Sequence, residues 1–145
     1  MENHIISMKT SSKPKKNTQT STSLSLKKLR NKADRLIQEV GRLHYHGCLI
    51  CGGEYSCLHH YYPKSTSTAL RYDFDNLIPI CVGCHLGHHV GHPEIHNTVN
   101  EKMGKEWLDN LTWKKNTIKV KPTVEWYKVQ IEILKEMLEA NKYGL

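Results

Sequence analysis

Two Cys-x-x-Cys pairs, Cys48-Leu49-Ile50-Cys51 and Cys81-Val82-Gly83-Cys84, enclose a His59-His60 dipeptide and Asn76, and His85 follows the second pair directly. Paired thiolates at this spacing suit a tetrahedral zinc site, whereas a disulfide framework has no need of it. The gap between the pairs exceeds that of a plain zinc ribbon, so something has been inserted, and the insert carries the histidines. An imidazole, with an unperturbed pKa of about 6.5, can serve as a neutral base or as a metal ligand. A structural zinc, a second ion and a base acting on one water would together support metal-assisted hydrolysis of the kind a nuclease performs. A competing grouping takes Cys48, Cys51, Cys57 and His59 and leaves Cys81 and Cys84 idle. In the four-cysteine grouping Cys57 is a small buried strand residue.

These side chains need elements to hold them. Cys-x-x-Cys-Gly-Gly reads as a knuckle whose glycines let backbone amides turn toward the sulfurs. Tyr55 to Tyr62 reads as a strand that Pro63 ends, residues 64–75 as a polar loop, and Leu77 to Ile80 as a short apolar strand. Cys81 to His92 should turn into a helix, weakened by Gly87 and Gly91. The middle of the chain is thus strand, loop, strand, helix. Neighbours on a strand point to opposite faces, so His59 and His60 should divide the work, one on an ion and the other on a water. His85 and His89 have the i, i+4 spacing that sets two ligands on one helix face, which makes His89 a candidate third ligand. His88, His92 and His96 read as surface or packing residues.

Before the first pair, Leu26, Leu29, Ala33, Ile37 and Val40 recur at helical steps from Ser23 onward, with Leu36 and Leu43 widening the stripe. Ser23 or Ser25 is a plausible N-cap and Gly47 a stop. Lys27, Lys28, Arg30, Lys32, Arg35 and Arg42 fall mostly on the other faces; they suit a phosphate backbone, or simply solvent. After the motif, Pro93 opens a helix to Met103, which Gly104 closes, and Lys105 to Trp113 reads as another. Pro122 and Thr123 open a last helix, with Trp126, Ile133, Met137 and either Val129 or Gln130 on one face, broadened by Leu134 and Leu138. That face either packs on its own domain or meets a second copy in a homodimer. Residues 1–22 read as a loose, disordered basic arm carrying Lys9, Lys13, Lys15 and Lys16.

The net charge is +7, from 21 Lys+Arg against 14 Asp+Glu. Such a balance suits a polyanionic partner, although it also serves solubility. About 120 residues remain to fold beyond the arm, a size that gains from a metal staple. The start of the chain lacks a charged segment followed by an apolar run, and no stretch is long and apolar enough to span a membrane. The expectation is a cytoplasmic protein in a reducing compartment, with its thiols free for zinc.

His59-His60, Asn76-Leu77-Ile78-Pro79-Ile80-Cys81 and Cys84-His85 together resemble the HNH (His-Me finger) endonuclease motif in its four-cysteine form. Leu70-Arg71-Tyr72-Asp73-Phe74-Asp75-Asn76 and the stretch Ile95 to Leu111, with Met103-Gly104-Lys105-Glu106-Trp107-Leu108, resemble the NinG recombination-nuclease family of tailed phages. The likeness covers about residues 24–113. It implies an α+β fold, a ββα-metal core with zinc knuckles flanked by N-terminal and C-terminal helices. The implied divisions are the tail at 1–22, a nuclease domain at 23–113, and a linker with an amphipathic helix at 114–145. His59 matches the metal ligand on the first strand, His60 the general base, Asn76 the residue that ties down the loop and orients His60, and His85 the second metal ligand. The implied activity is metal-dependent hydrolysis of DNA phosphodiesters to 5′-phosphate and 3′-hydroxyl ends, in phage or prophage recombination. It would use a structural Zn²⁺ at Cys48, Cys51, Cys81 and Cys84, and Mg²⁺ or Mn²⁺, with Zn²⁺ as the alternative, at the histidines. Arg71 could steady the scissile phosphate or pair with Asp73 or Asp75, while Lys28, Arg35 and Arg42 would face the DNA. The competing function is a non-catalytic zinc module that only binds nucleic acid, and a weaker one a zinc-stabilised protein adaptor.

Overall fold

The computed structural model describes residues 21–142, so the expected arm lies outside the described residues except for its last two, which are helical. The fold combines helices with a small two-stranded sheet: α1 (Ser21–His44), β1 (Cys57–His60), β2 (Leu77–Ile80), α2 (Val82–His89), α3 (Pro93–Met103), α4 (Lys105–Thr117) and α5 (Val124–Lys142). No described helix is long and apolar enough to cross a membrane.

The apolar stripe of α1 is buried as its period predicts, with Ala33, Ile37 and Val40 at 0–1% exposure. Its ends differ from expectation. The helix is under way at Ser21, so Ser23 and Ser25 lie inside it and do not cap it. It stops at His44, whose ring Nδ1 lies 2.9 Å from the Val40 carbonyl. Near that end Gly41 is needed for close approach, because a Cβ there would sit 2.7 Å from the Leu58 side chain on β1.

β1 and β2 pair antiparallel, with Cys57 opposite Ile80, His59 opposite Ile78 and His60 opposite Leu77. The strand expected over Tyr55–Tyr62 keeps only its middle. At one end the Tyr55 amide turns away to the His46 carbonyl, and at the other the Tyr62 amide donates to the side chain of Asn76. Because cross-strand partners share a face, the hairpin separates two cores. Leu58, Leu77 and Tyr72 join α1 and α5 on one side. Ile78 and Ile80 join Cys48, Tyr61, Leu70, Val99 and Leu111 on the other. His60 therefore lies toward α1, and His59 toward α2 and α3.

α2 is shorter than the expected Cys81–His92 run, because the chain leaves it through Gly91 at φ +80°. α3 and Gly104 follow the sequence reading. α4 continues past Trp113 to Thr117, since Lys114 in its last turn holds Asp73 and Asp75 at 2.8 and 2.7 Å. A domain boundary after residue 113 would therefore cut a helix.

α5 keeps Trp126, Leu134, Met137 and Leu138 of the expected stripe but turns Tyr127 and Ile131 inward in place of Val129 and Ile133. Tyr127, Ile131 and Leu134 are buried, with Trp126, Met137 and Leu138 partly covered, while Val129 and Ile133 are 55% and 46% exposed. Tyr72 stacks on Trp126 and meets the edge of Tyr127, which turns that face toward α1. The apolar side offered for a homodimer is thus used largely within the chain.

Candidate functional site

The Sγ atoms of Cys48, Cys51, Cys81 and Cys84 all lie within 4.8 Å of one another, and none of these cysteines is in a disulfide. Sulfurs held at about 2.3 Å from one tetrahedral zinc would be about 3.8 Å apart. Cys51 and Cys81 are separated by 3.7 Å. The second knuckle turns its Cys84 amide onto the Cys81 sulfur at 3.4 Å. The first is closed by Cys48 N–H to the Gly53 carbonyl at 2.7 Å and needs Gly52 at φ +73°. Lys102 on α3 braces it from outside, donating to the carbonyls of Leu49 and Ile50.

The thiols' acidities also fit a cation. Burial raises the Cys48 thiol, but backbone amides, that of Cys51 first, outweigh it and bring it down to about 7. Cys84 is pushed up by burial and by the three neighbouring thiols. One thiolate is therefore favoured and the next resisted, and a bound divalent cation removes that conflict. The competing set loses Cys57, whose sulfur points instead at Nδ1 of His85, 3.6 Å away.

The histidines gather on the other side of α2. A cavity of about 500 Å³ is lined by His59, His60, His85, His88 and His89 together with Gln38 and Lys64, and among the described residues no carboxylate lines it. The ring centroids of His59 and His85 are 5.2 Å apart, those of His85 and His89 4.6 Å, and those of His59 and His89 6.1 Å. Rings bound through nitrogen to one tetrahedral ion would have centroids about 5 Å apart. The Nε2 atoms of His85 and His89 approach to 3.0 Å, and Nε2 of His59 is buried with no hydrogen-bond partner. Among the described residues only the four sulfurs form a set of ligand atoms all within 4.8 Å of one another; the histidine nitrogens, one orphaned and two converging, are donors that lie near one another without that closeness. Burial, with His88, His85 and the other nearby imidazoles, drives His59 down to about 3, so it stays neutral and able to ligate. The Cys57 contact at Nδ1 leaves Nε2 of His85 facing the cavity.

His60 leans the other way, as strand alternation requires. Its Nε2 is 2.8 Å from the Arg71 carbonyl oxygen. A carbonyl only accepts, so Nε2 carries the hydrogen and Nδ1 keeps its lone pair. Burial is the largest influence on His60 and holds it below its ordinary pKa, against the opposing Arg71 carbonyl bond. Asn76, fully buried, ties the two sides of the loop together. Its Oδ1 accepts from the Tyr62 amide at 2.8 Å, and its Nδ2 donates to the carbonyls of Tyr62 and Leu70 at 3.0 and 3.1 Å.

Arg71 pairs with neither expected aspartate. Its guanidinium forks onto Asp34 of α1, while Asp73 and Asp75 are taken by Lys114. Held there and mostly covered, it is not free to reach a phosphate. Lys28, Arg35 and Arg42 lie exposed along α1. His88 packs its ring 4.2 Å from that of His59, His96 packs on Tyr61 and His88, and His92 precedes α3 at its cap position.

Two residues at the site escaped the sequence reading. Gln38 accepts from the Leu58 amide and donates to the Leu58 carbonyl, at 2.9 and 3.0 Å, clamping β1 to α1. Asp34 holds Arg71 and also accepts from the Tyr72 hydroxyl at 2.8 Å. The acid and amide positions in the basic helix were the available signal, and their partners are remote in sequence. Compared with protein-family models, curated proteins and solved structures, the chain matches none of them.

Proposed function

We propose that this chain is a metal-dependent DNA endonuclease of the HNH kind, in which β1, β2 and α2 act as the ββα-metal core. The observation that carries the reading is the 2.8 Å contact of His60 Nε2 with the Arg71 carbonyl, which places the hydrogen on Nε2 and leaves Nδ1 as a base on a ring that lines the cavity of His59, His85 and His89. A binding module has no use for an oriented base. In the reaction, the oxygen of a water bonds to phosphorus while His60 Nδ1 takes its proton. The bond from phosphorus to the 3′ oxygen breaks, and that oxygen gains a proton from solvent. A divalent ion bound by His59, His85 and His89 would offset the charge that develops on the phosphate. Asn76 keeps the loop, and through it His60, in register.

The donor set bears on which ion is used. Imidazole suits Zn²⁺ and the neighbouring later transition ions, whereas Mg²⁺ and Mn²⁺ seek oxygen ligands. With no carboxylate among the described residues that line the cavity, the reading favours Zn²⁺ over Mg²⁺ or Mn²⁺ for activity. Zn²⁺ is the ion proposed for the four sulfurs.

The second reading, a zinc-stabilised module that binds nucleic acid without cutting it, draws on the exposed basic residues Lys28, Arg35 and Arg42. A panel of labelled single-stranded, duplex and branched DNAs, incubated with each divalent ion, separates the two. Cleavage by the wild type and its loss in His60→Ala supports the nuclease. Binding without cleavage across all substrates and ions supports the module.

A further inference from the structure

We propose that Asp34 and Arg71 form a positioning pair for His60, so that α1 takes part in holding the base and is not only a basic surface for DNA. This inference rests on the nuclease reading of the site.

The path is short and fully bonded. The Arg71 backbone supplies the carbonyl that fixes the His60 tautomer, at 2.8 Å. The Arg71 side chain meets Asp34 with its two nitrogens on the two carboxylate oxygens, Nε at 3.0 Å from Oδ1 and Nη2 on Oδ2. The Tyr72 hydroxyl donates to the same Oδ1, so two consecutive loop residues are tied to one carboxylate. The Arg71 side chain is only 14% exposed and that of Asp34 26%, which shields the pair from solvent screening. A planar two-point pairing of this kind fixes orientation as well as distance. Asn76 anchors the same loop by the adjacent Leu70 carbonyl. The loop is therefore pinned on both sides of the atom that matters, by Asn76 from within the hairpin and by Asp34 from α1. Lys64, which lines the histidine cavity, also pairs with Asp34 at 3.6 Å, with its side chain 46% exposed.

Asp34→Asn distinguishes positioning from DNA contact. As a positioning residue, its loss should lower kcat by about 10- to 100-fold with KM for DNA unchanged, and Asp34→Glu should restore part of it. If Arg71 instead served the phosphate, releasing it from Asp34 would tighten DNA binding and leave kcat intact, which would overturn the proposal. The ¹⁵N signals of the His60 ring give a second readout that needs no cleavage. The wild type should show one tautomer with hydrogen on Nε2, and Asp34→Asn a mixture. An unchanged single tautomer in the variant, or a mixture already in the wild type, contradicts the proposal. Should Asp34→Asn fail to fold, Arg71→Lys keeps the charge but loses the fork, and the same two outcomes apply. A wild type that never cuts DNA refutes the nuclease reading, while the ring signals still decide whether the pair orders His60.

Discussion

The cysteine corner and the histidine cleft share α2, yet they are built in opposite ways. The four sulfurs are mutually close, supported by knuckle amides and by Lys102, and continuous with the core that contains Ile78, Ile80 and Leu111. The imidazoles line an open cavity, one with an orphaned nitrogen, on a helix of eight residues with no buried side chain. A structural metal site closes its coordination with protein ligands, whereas a reactive one leaves a position open. On the proposed reading the sulfurs serve stability and the rings chemistry.

The comparison breaks most visibly at the sulfurs. Cys81→Ser should cost on the order of 5 kcal/mol or more, because zinc binding there is folding free energy. Thermal unfolding and zinc content measure it, and an unchanged midpoint would show that the corner holds no structural ion. The next largest effect is on chemistry alone. His60→Ala should reduce cleavage by about 10²- to 10⁴-fold while zinc content and unfolding midpoint stay at wild-type values. His89→Ala should weaken the activating ion's binding by at least about 10²-fold, since loss of a mere orienting partner already costs 10- to 100-fold. Titrating cleavage against Zn²⁺ reads it, again with the midpoint unaffected.

A pH profile sharpens the same contrast. His60 acts as a base only when neutral, and its folded pKa lies below the ordinary value. Cleavage should therefore rise with pH through a point below about 6.5 and be level near neutrality. Because an unfolded chain would take up that proton at higher pH, stability falls as pH drops below about 6.5. The smallest effect belongs to the basic surface. Arg35→Ala and Arg42→Ala should each weaken DNA binding at low salt and reduce the salt dependence by about one charge, with kcat retained.

Legibility in the sequence followed locality. The four-cysteine set could be read because each pair fixes its own knuckle and thiol chemistry supplies the rest. The expected stop at Gly104 also held, since positive φ is a property of single residues, whereas Gly91 was read only as a weak point of a helix that in fact ends before it. The stripe of α1 was legible because its apolar period is unambiguous. α5 carries apolar residues on overlapping faces, and the face that turns inward is the one that meets α1 and the ring of Tyr72. The partner of Arg71 was missed for a related reason. Asp73 and Asp75 are near in sequence, but Lys114 claims them from α4, and Asp34 is reached only once α1 lies against the loop. Gln38 was hidden in the same way, by a contact between α1 and the strand edge that no spacing announces.

The most direct measurement is cleavage of a labelled DNA panel by wild type and His60→Ala side by side, with zinc retained and Mn²⁺, Zn²⁺ or Mg²⁺ added. The account predicts cuts by the wild type leaving 5′-phosphate ends, strongest with Zn²⁺, and none above background from the variant. Equal cutting by both proteins, or tight binding with no cutting by either, would contradict it.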